Sequence, residues 1–577
     1  MGSKMAGALP MNQRVARCLA AVFFGLSEAF AQVEPPVIKV STRLIQVGVV
    51  AHDRDGNPVG DLLKSDFEIF DDGKRRDAAF FSLERRAQRV EPLRLPLNTF
   101  SNRIGTQAST NATVILLDGL NTNIRDQAYA KPQVVSFLKQ IEPSDRVGIF
   151  ALGQQLRVLH DLSTDASSLI AALSSYKGRA GSELLASELP TEALKRGDLA
   201  PGKTPTVPGM PAGGGASNAA ADLADKFFQE FVQEASRRPA VFYLEQRVRW
   251  TARGLQTIGR YLAGIPGRKS LIWVSASFPL TVGFEDALDT GSPSREWRTF
   301  RGEMEEATRT LNEANVAVYP VDARGLAPPG GLDVEGRLFP SQPGRLARGV
   351  PIYTPAPRNL DVLHLLAERT GGKAFYNTND IGSAVRAALK DSEVTYTLGF
   401  YANSEKLDGK FHDIKVRVKR KGVRVRHRKG YVARNEAVFD TKQRSDEIRQ
   451  LLHAPIDATT IGIYVRHEPD AEETGSVKLT IRVDASDITL EPNGERRQGK
   501  LNIVIAQKDL EGEILATESQ TLDLNLTQRN YESITRDGAM LLWKTVEPNP
   551  EVAEFRVVIV DHPSNTMGSL RVPYVVE

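Results

Sequence analysis

Cysteine is all but missing from this chain: Cys18 is the only one in 577 residues. It lies within "CLAAVFFGLSEAFA", after a possible internal start at Met11 and behind Arg14 and Arg17. That run is apolar, too short to span a bilayer, and closes on Ala29-Phe30-Ala31. Residues 1–31 are therefore expected to be a secretory signal peptide, cleaved after Ala31. Glu28 interrupts the run and argues against an uncleaved anchor. The chain left after cleavage would hold no thiol, which excludes disulfides and a cysteine nucleophile, so its stability must come from core size. Long apolar runs are also lacking after the leader, so no transmembrane span is expected once the signal is removed. Nor is there an excess of one charge. Lys and Arg number 74 against 71 Asp and Glu, for a net charge of +3, which gives no reason to expect a nucleic-acid partner.

Catalytic signatures are a further absence. There is no His-Glu-x-x-His, no Gly-x-Ser-x-Gly and no Gly-x-x-x-x-Gly-Lys-Ser/Thr. The histidines are scattered without ligand spacing on any one element, and His364 in "DVLHLLAERTGG" reads as a helix-packing residue. The chain is accordingly read as not an enzyme. A secreted hydrolase with an unrecognised site is the alternative, for which no motif speaks.

What is present is length and periodicity. Single cores stop growing at about 250–300 residues, so roughly three folded units are expected. Residues 32–110 read as an N-terminal β module and linker, with turn signals at Asp55-Gly56-Asn57-Pro58 and Asp72-Gly73. "HDRDGNP" lacks EF-hand spacing and is taken as a turn. Residues 111–393 alternate strands and helices, which implies a mostly parallel sheet covered on both faces. "ATVILLDGL" is the doubly buried strand, and "DQAYAKPQVVSFLKQI" places Val134, Phe137, Leu138 and Ile141 at helical spacing, with Pro132 tolerable only in the first turns.

Insertions interrupt this unit near 178–222 and 325–358. The Gly/Pro/Ala-rich part at 196–219 contains Arg196-Gly197-Asp198, which is given no role. Residues 394–433 read as a β-hairpin module that pairs into one sandwich with the N-terminal β module, since each is too small to be stable alone. Residues 434–455 read as a linker and 456–577 as a C-terminal β-sandwich. The fold class is multidomain α/β plus all-β, a Rossmann-like doubly wound domain flanked by β-sandwich modules.

Several segments together resemble a known family. "VGVVAHDRDGNPVGDLLKSDFEIFDDGK", "VILLDGLNT" with "DQAYA", "DRVGIFALGQQLRVLHDLSTD" and "YTLGFYANSEKLDGKFHDIKVRVKRKGVRVRHRKGY" are similar to the von Willebrand factor type A-related (VWFA) proteins of the acidobacterial type, over about residues 37–433. The resemblance implies a VWA-type domain with a Mg²⁺ site built from an Asp-x-Ser-x-Ser loop, a threonine on a second loop and an aspartate after a later strand. On these positions the first aspartate falls at Asp118 and the last serine at Thr122, while Leu120 takes the middle place and offers no oxygen. Asn121 is a substitute ligand if it turns inward. The second-loop residue falls near Ser182 and the late aspartate at Ser275, where a hydroxyl replaces a charge. Because hard-cation affinity follows ligand charge, a degenerate site is expected, without Mg²⁺ or any other cofactor.

The second candidate is "KVRVKRKGVRVRHRK", where valines alternate with Arg417, Lys419, Arg424 and Arg426. As a hairpin it would carry one apolar and one basic face, suited to an acidic polymer. The expected function is an exported, non-catalytic adhesion or protein-binding protein in the periplasm, on the outer surface or secreted. It would engage an envelope or extracellular protein through the tops of the α/β domain. Polyanion or surface-polysaccharide binding at 415–429 is the alternative.

Overall fold

The computed structural model describes residues 44–85, 95–103, 112–179, 245–276, 295–325, 358–376, 380–402, 410–433 and 441–574, with isolated positions at 181, 182, 184, 242 and 243. The expected signal peptide, the tripeptide Arg196-Gly197-Asp198 with the rest of 196–219, and the second insertion at 326–357 lie outside the described residues.

The described residues open with strands β1 (Leu44–His52), β2 (Phe67–Asp71), β3 (Lys74–Arg76), β4 (Phe80–Arg85) and β5 (Thr99–Ser101). The α/β part follows as β6 (Thr113–Asp118), α1 (Ile124–Leu138), β7 (Val147–Leu152), β8 (Leu156–Ser163), α2 (Ala166–Ser175) and α3 (245–263). It continues with β9 (Lys269–Ser275), α4 (Arg295–Glu313), β10 (Val316–Asp322), α5 (Arg358–Thr370) and α6 (Ile381–Asp391). Then come β11 (Val394–Tyr401), β12 (Phe411–Val418), β13 (Arg424–His427), β14 (Gly430–Val432) and α7 (Thr441–His453). The last part holds β15 (Ile463–Pro469), β16 (Val477–Asp484), β17 (Glu491–Asn493), β18 (Arg496–Lys508), β19 (Ile514–Thr527), α8 (Gln528–Asp537), β20 (Ala539–Val546), β21 (Glu554–Asp561) and β22 (Thr566–Pro573).

The α/β sheet runs β10-β9-β6-β7-β8; only its edge strand β8 is antiparallel to its neighbour. Alternation along β6 divides the core in two. Val114 and Leu116 face α3, α4 and α5, where Leu255, Leu311 and Leu366 are buried. Ile115 and Leu117 face α1, α2 and α6, where Phe137, Leu169 and Val385 are buried. A sheet covered on both faces needs continuous apolar strands, and all of β6, β7, β9 and β10 is buried. Successive strands first step away from β6 through β7 and β8, then return to its other side at β9. The carboxyl ends of β6 and β9, at Asp118 and Ser275, therefore flank the switch point where such sheets place ligands. One detail differs from the sequence reading: α1 begins at Ile124, so Pro132 lies inside the helix rather than in its first turns.

Residues 44–85 and 394–433 form one sandwich of two four-stranded sheets, β13-β1-β11-β4 and β14-β12-β2-β3. Val47, Val49, Phe67, Ile69, Tyr396, Leu398, Ile414 and Val416 meet between them. This corrects the expected hairpin at 415–429. β12 pairs with β2 and β14, whereas β13 pairs with β1 in the opposite sheet. Alternating valines suit either arrangement; the free edges of β1 and β2 decide it, because Val416, Val423 and Val425 then enter one core from both sides.

The C-terminal part forms a second sandwich, β20-β16-β15-β5 against β17-β18-β21-β22 with β19 on β18. Two segments read as linkers are structured within it. Thr99–Ser101 adds the edge strand β5 to β15, and Thr441–His453 is the helix α7, whose Leu451 and Leu452 pack on Val558 and Val560 of β21. Among the described residues no helix is long and apolar enough to cross a membrane.

Candidate functional site

Asp118 is buried at the end of the central strand, and its carboxylate is fully engaged. Oδ1 accepts from the backbone N–H of Leu120 (3.1 Å) and Asn121 (2.9 Å) and from Asn121 Nδ2 (3.2 Å). Oδ2 accepts from Asn121 Nδ2 (3.0 Å), Trp273 Nε1 (3.0 Å) and Ser275 Oγ (2.8 Å). An ionised carboxylate offers about four lone-pair sites, so these donors occupy it. Burial raises its pKa overall, and the bonds from Asn121, Ser275 and Trp273 offset part of that rise.

Asn121 turns inward and extends this network. Its Nδ2 also donates to Thr251 Oγ1 (3.0 Å), and its Oδ1 accepts from Nε of the buried Arg247 (3.1 Å). Both partners lie on α3. Thr122 does not point at the carboxylate: its Oγ1 accepts from the backbone N–H of Ala276 (3.0 Å), tying the loop to the end of β9. Leu120 is buried in the apolar core between the sheet and α3. Gly119 permits the tight path of the loop, since a Cβ there would lie 3.2 Å from Leu152 O and 3.3 Å from Arg179 O.

The structure therefore brings Asp118, Asn121, Thr122 and Ser275 together. Ser182 is exposed and takes no part in the bonds to Asp118. The second-element hydroxyl at this loop is Thr251, which the sequence alone did not single out because α3 follows the long insertion. Arg247 and Trp273 were missed as well; their position one helical turn before Thr251 and two residues before Ser275 was the only available signal. As an oxygen cage for a hard cation the set falls short. Leu120 supplies nothing, Ser275 brings no charge, and Asp118 and Thr122 already accept from protein donors.

Beside the network lies a cleft of about 260 Å³, lined by Leu117, Ile124, Ala128, Tyr176 and Val274 among others. Two of its polar members, Gln127 and Lys131, are tied to backbone oxygens. Gln127 Nε2 donates to Thr122 O and Arg179 O, and Lys131 Nζ to Ser174 O and Tyr176 O. Ile124 at the rim is 52% exposed, at the start of a helix whose Asn123 side chain accepts from Asp126 N. At the end of β10, Asp322 is paired with Arg324 through two bonds of 2.9 Å.

The basic candidates do not share a face. Arg417 lies over the Phe70 ring at 5.3 Å and Lys419 Nζ donates to Ser65 O (2.8 Å). Arg424 donates to Arg54 O (3.0 Å), and Arg426 pairs with Asp391 of α6. His364 is also corrected: its side chain is 53% exposed, 3.9 Å from Glu368 one turn on, rather than packed in the helix interface. The helix turns its apolar side, with Leu363 and Leu366, to the sheet instead.

No protein-family model matches the chain, and no curated protein does. Among solved structures it is similar to an aerotolerance-related membrane protein from Bacteroides fragilis, at 12% identity over 48% of this chain and 97% of that one, with a TM-score of 0.21. BatB from Bacteroides thetaiotaomicron aligns at 15% identity over 48% and 98%, with a TM-score of 0.20. A von Willebrand factor type A protein from Catenulispora acidiphila aligns at 8% identity over 85% and 71%, with a TM-score of 0.24. The strand order, with an aspartate-ended central strand running into the Asp118–Thr122 loop, makes the α/β domain a doubly wound one.

Proposed function

We propose that this is an exported, non-catalytic binding protein whose α/β domain takes a protein ligand at the carboxyl ends of its strands, without a metal ion. The supporting observation is the Asp118 carboxylate, whose lone pairs are met by protein donors, beside an apolar cleft rimmed by the exposed Ile124. A bridging cation would have to displace those donors, whereas an apolar side chain entering the cleft displaces only solvent. The partner is an envelope or extracellular protein that presents such a side chain. The polyanion reading has no single basic face to rest on, because its four cations are spread over two sheets and engaged locally.

Affinity capture from a native envelope extract tests this, with and without Mg²⁺. Capture by the parent chain is expected to be insensitive to Mg²⁺ and lost in Ile124→Glu. Capture that requires Mg²⁺, or that survives Ile124→Glu undiminished, would overturn the reading.

A further inference from the structure

A second carboxylate cluster lies in the first sandwich. Asp71 closes β2, and Asp72 opens the turn into β3 with φ of 47°. His412 lies on β12, which is paired to β2 on one side and to β14 on the other, where Tyr431 is its direct neighbour. His412 Nδ1 is 3.0 Å from Asp72 Oδ2 and 3.6 Å from Asp71 Oδ1, and the three atoms lie within 4.8 Å of one another. Asp71 and His412 are only 3% and 4% exposed, while Asp72 reaches solvent.

Each carboxylate has its outer oxygen or its flank held by another group. Asp71 Oδ2 accepts from Arg76 Nε (3.2 Å) and Nη2 (3.0 Å), and Asp72 Oδ1 accepts from the backbone N–H of Asp413 (2.9 Å). Tyr431 OH donates to Asp71 Oδ1 at 3.3 Å, and its ring stacks on the His412 imidazole at 5.2 Å. Asp71 Oδ1, which Tyr431 OH also reaches, and Asp72 Oδ2 converge on one imidazole nitrogen. A single N–H satisfies one acceptor, so it serves only one of these two oxygens. A divalent cation in place of that proton serves both.

We propose that Asp71 Oδ1, Asp72 Oδ2 and His412 Nδ1 bind one Zn²⁺-class ion, with solvent on the Asp72 side completing its shell. An imidazole with two carboxylates suits a first-row divalent metal better than Mg²⁺ or Ca²⁺, which take oxygen. Ligand bonds of about 2.0–2.2 Å place two ligands of a tetrahedral ion roughly 3.3 Å apart, between the two distances found here. The bonds from Arg76, Tyr431 and the Asp413 amide are of the kind that orient metal ligands. The ion would tie the β2–β3 turn to β12, joining two chain segments that the whole α/β domain separates.

The test is titration of the untagged full chain with Zn²⁺ after chelator treatment, by calorimetry and metal analysis. One equivalent is expected to bind, weakened at least tenfold in Asp72→Asn and in His412→Gln, with the Asp118→Ala variant retaining it. Because Asp72 is exposed, Asp72→Asn is expected to fold with an unchanged metal-free melting temperature, so it decides the matter if His412→Gln fails to fold. Absence of stoichiometric binding would overturn the proposal, as would equal binding by Asp72→Asn, or binding lost only in Asp118→Ala. None of these results depends on whether the strand tops capture a protein.

Discussion

The two ends of the α/β sheet treat buried charge in opposite ways. At the carboxyl end, Asp118 is enclosed by donors from its own loop and from β9, and the space beside it is an apolar cleft. At the amino end, charges are buried against the first sandwich. Lys269 begins β9 with Glu84 of β4 as its electrostatic partner, and Asp391 of α6 is shared by Tyr319, Arg426 of β13 and His52 of β1. Asn315, just before β10, lies so close to Gly48 that a Cβ there would meet its Oδ1 at 2.5 Å. Among the described residues, one end is thus closed by a neighbouring module, and the other is finished locally and open.

The largest expected effect breaks the closed end. Burial lowers the Lys269 pKa from 10.5 to about 7, with Glu84 opposing the shift. A folded pKa depressed below the unfolded value means that the unfolded chain binds more protons between pH 7 and 10.5, so stability falls as pH drops through that window. Lys269→Met removes this linkage. It is expected to be more stable than the parent at pH 7 by up to about 4 kcal/mol, less the lost bond from Nζ to Ile265 O (2.7 Å) and the cost of leaving Glu84 without its cation. The advantage closes as pH approaches 10. Urea unfolding at several pH values measures it, and parallel curves for the two chains would refute the account.

At the open end, Asp118→Ala removes the acceptor for Leu120, Asn121, Trp273 and Ser275 at once. Leaving several buried donors unmet is expected to cost about 3 kcal/mol, read from the urea midpoint of the α/β domain. Addition of Mg²⁺ is expected to leave the parent midpoint unchanged. A Mg²⁺-dependent rise in the parent, absent in the variant, would show that the donors yield to a cation.

The asymmetry between what was legible and what was not follows sequence distance. The apolar run before Asp118 and the spacing of Val134, Phe137 and Leu138 are local signals, and both became elements of the α/β core. The loop positions Asp118, Asn121 and Thr122 could be named because the family resemblance carries its ligand loop onto this one short stretch. Thr251 and Arg247 could not be, since only the three-dimensional return of α3 brings them to Asn121. The same reason hid the cluster of Asp71, Asp72 and His412: Asp413, which holds Asp72, lies 341 residues away. Between β12 and β13 the local pattern misled, because alternating valines define which side is apolar but not which strand is the neighbour.

The smallest expected effect sharpens the closed end, and it runs through one histidine. His52 Nε2 is 3.3 Å from Asp391 Oδ1, a contact that would favour the imidazolium, yet its pKa is lowered from 6.5 to about 4. Burial is the main cause and the Arg426 charge the next. Asp391 itself is paired with Arg426 and accepts from Tyr319 OH (2.6 Å). With the folded value below the unfolded one, the parent loses stability as pH falls from 6.5 towards 4. Arg426→Met is expected to cost about 2 kcal/mol at pH 7, since Asp391 stays buried without its cation. It also leaves His52 as the cation nearest to Asp391, so the imidazole pKa rises and the acid-side loss shrinks or reverses. Titration of the histidine ring signals by NMR reads the shift directly, and a His52 resonance that titrates identically in both chains would sever the link between β1, α6 and β13.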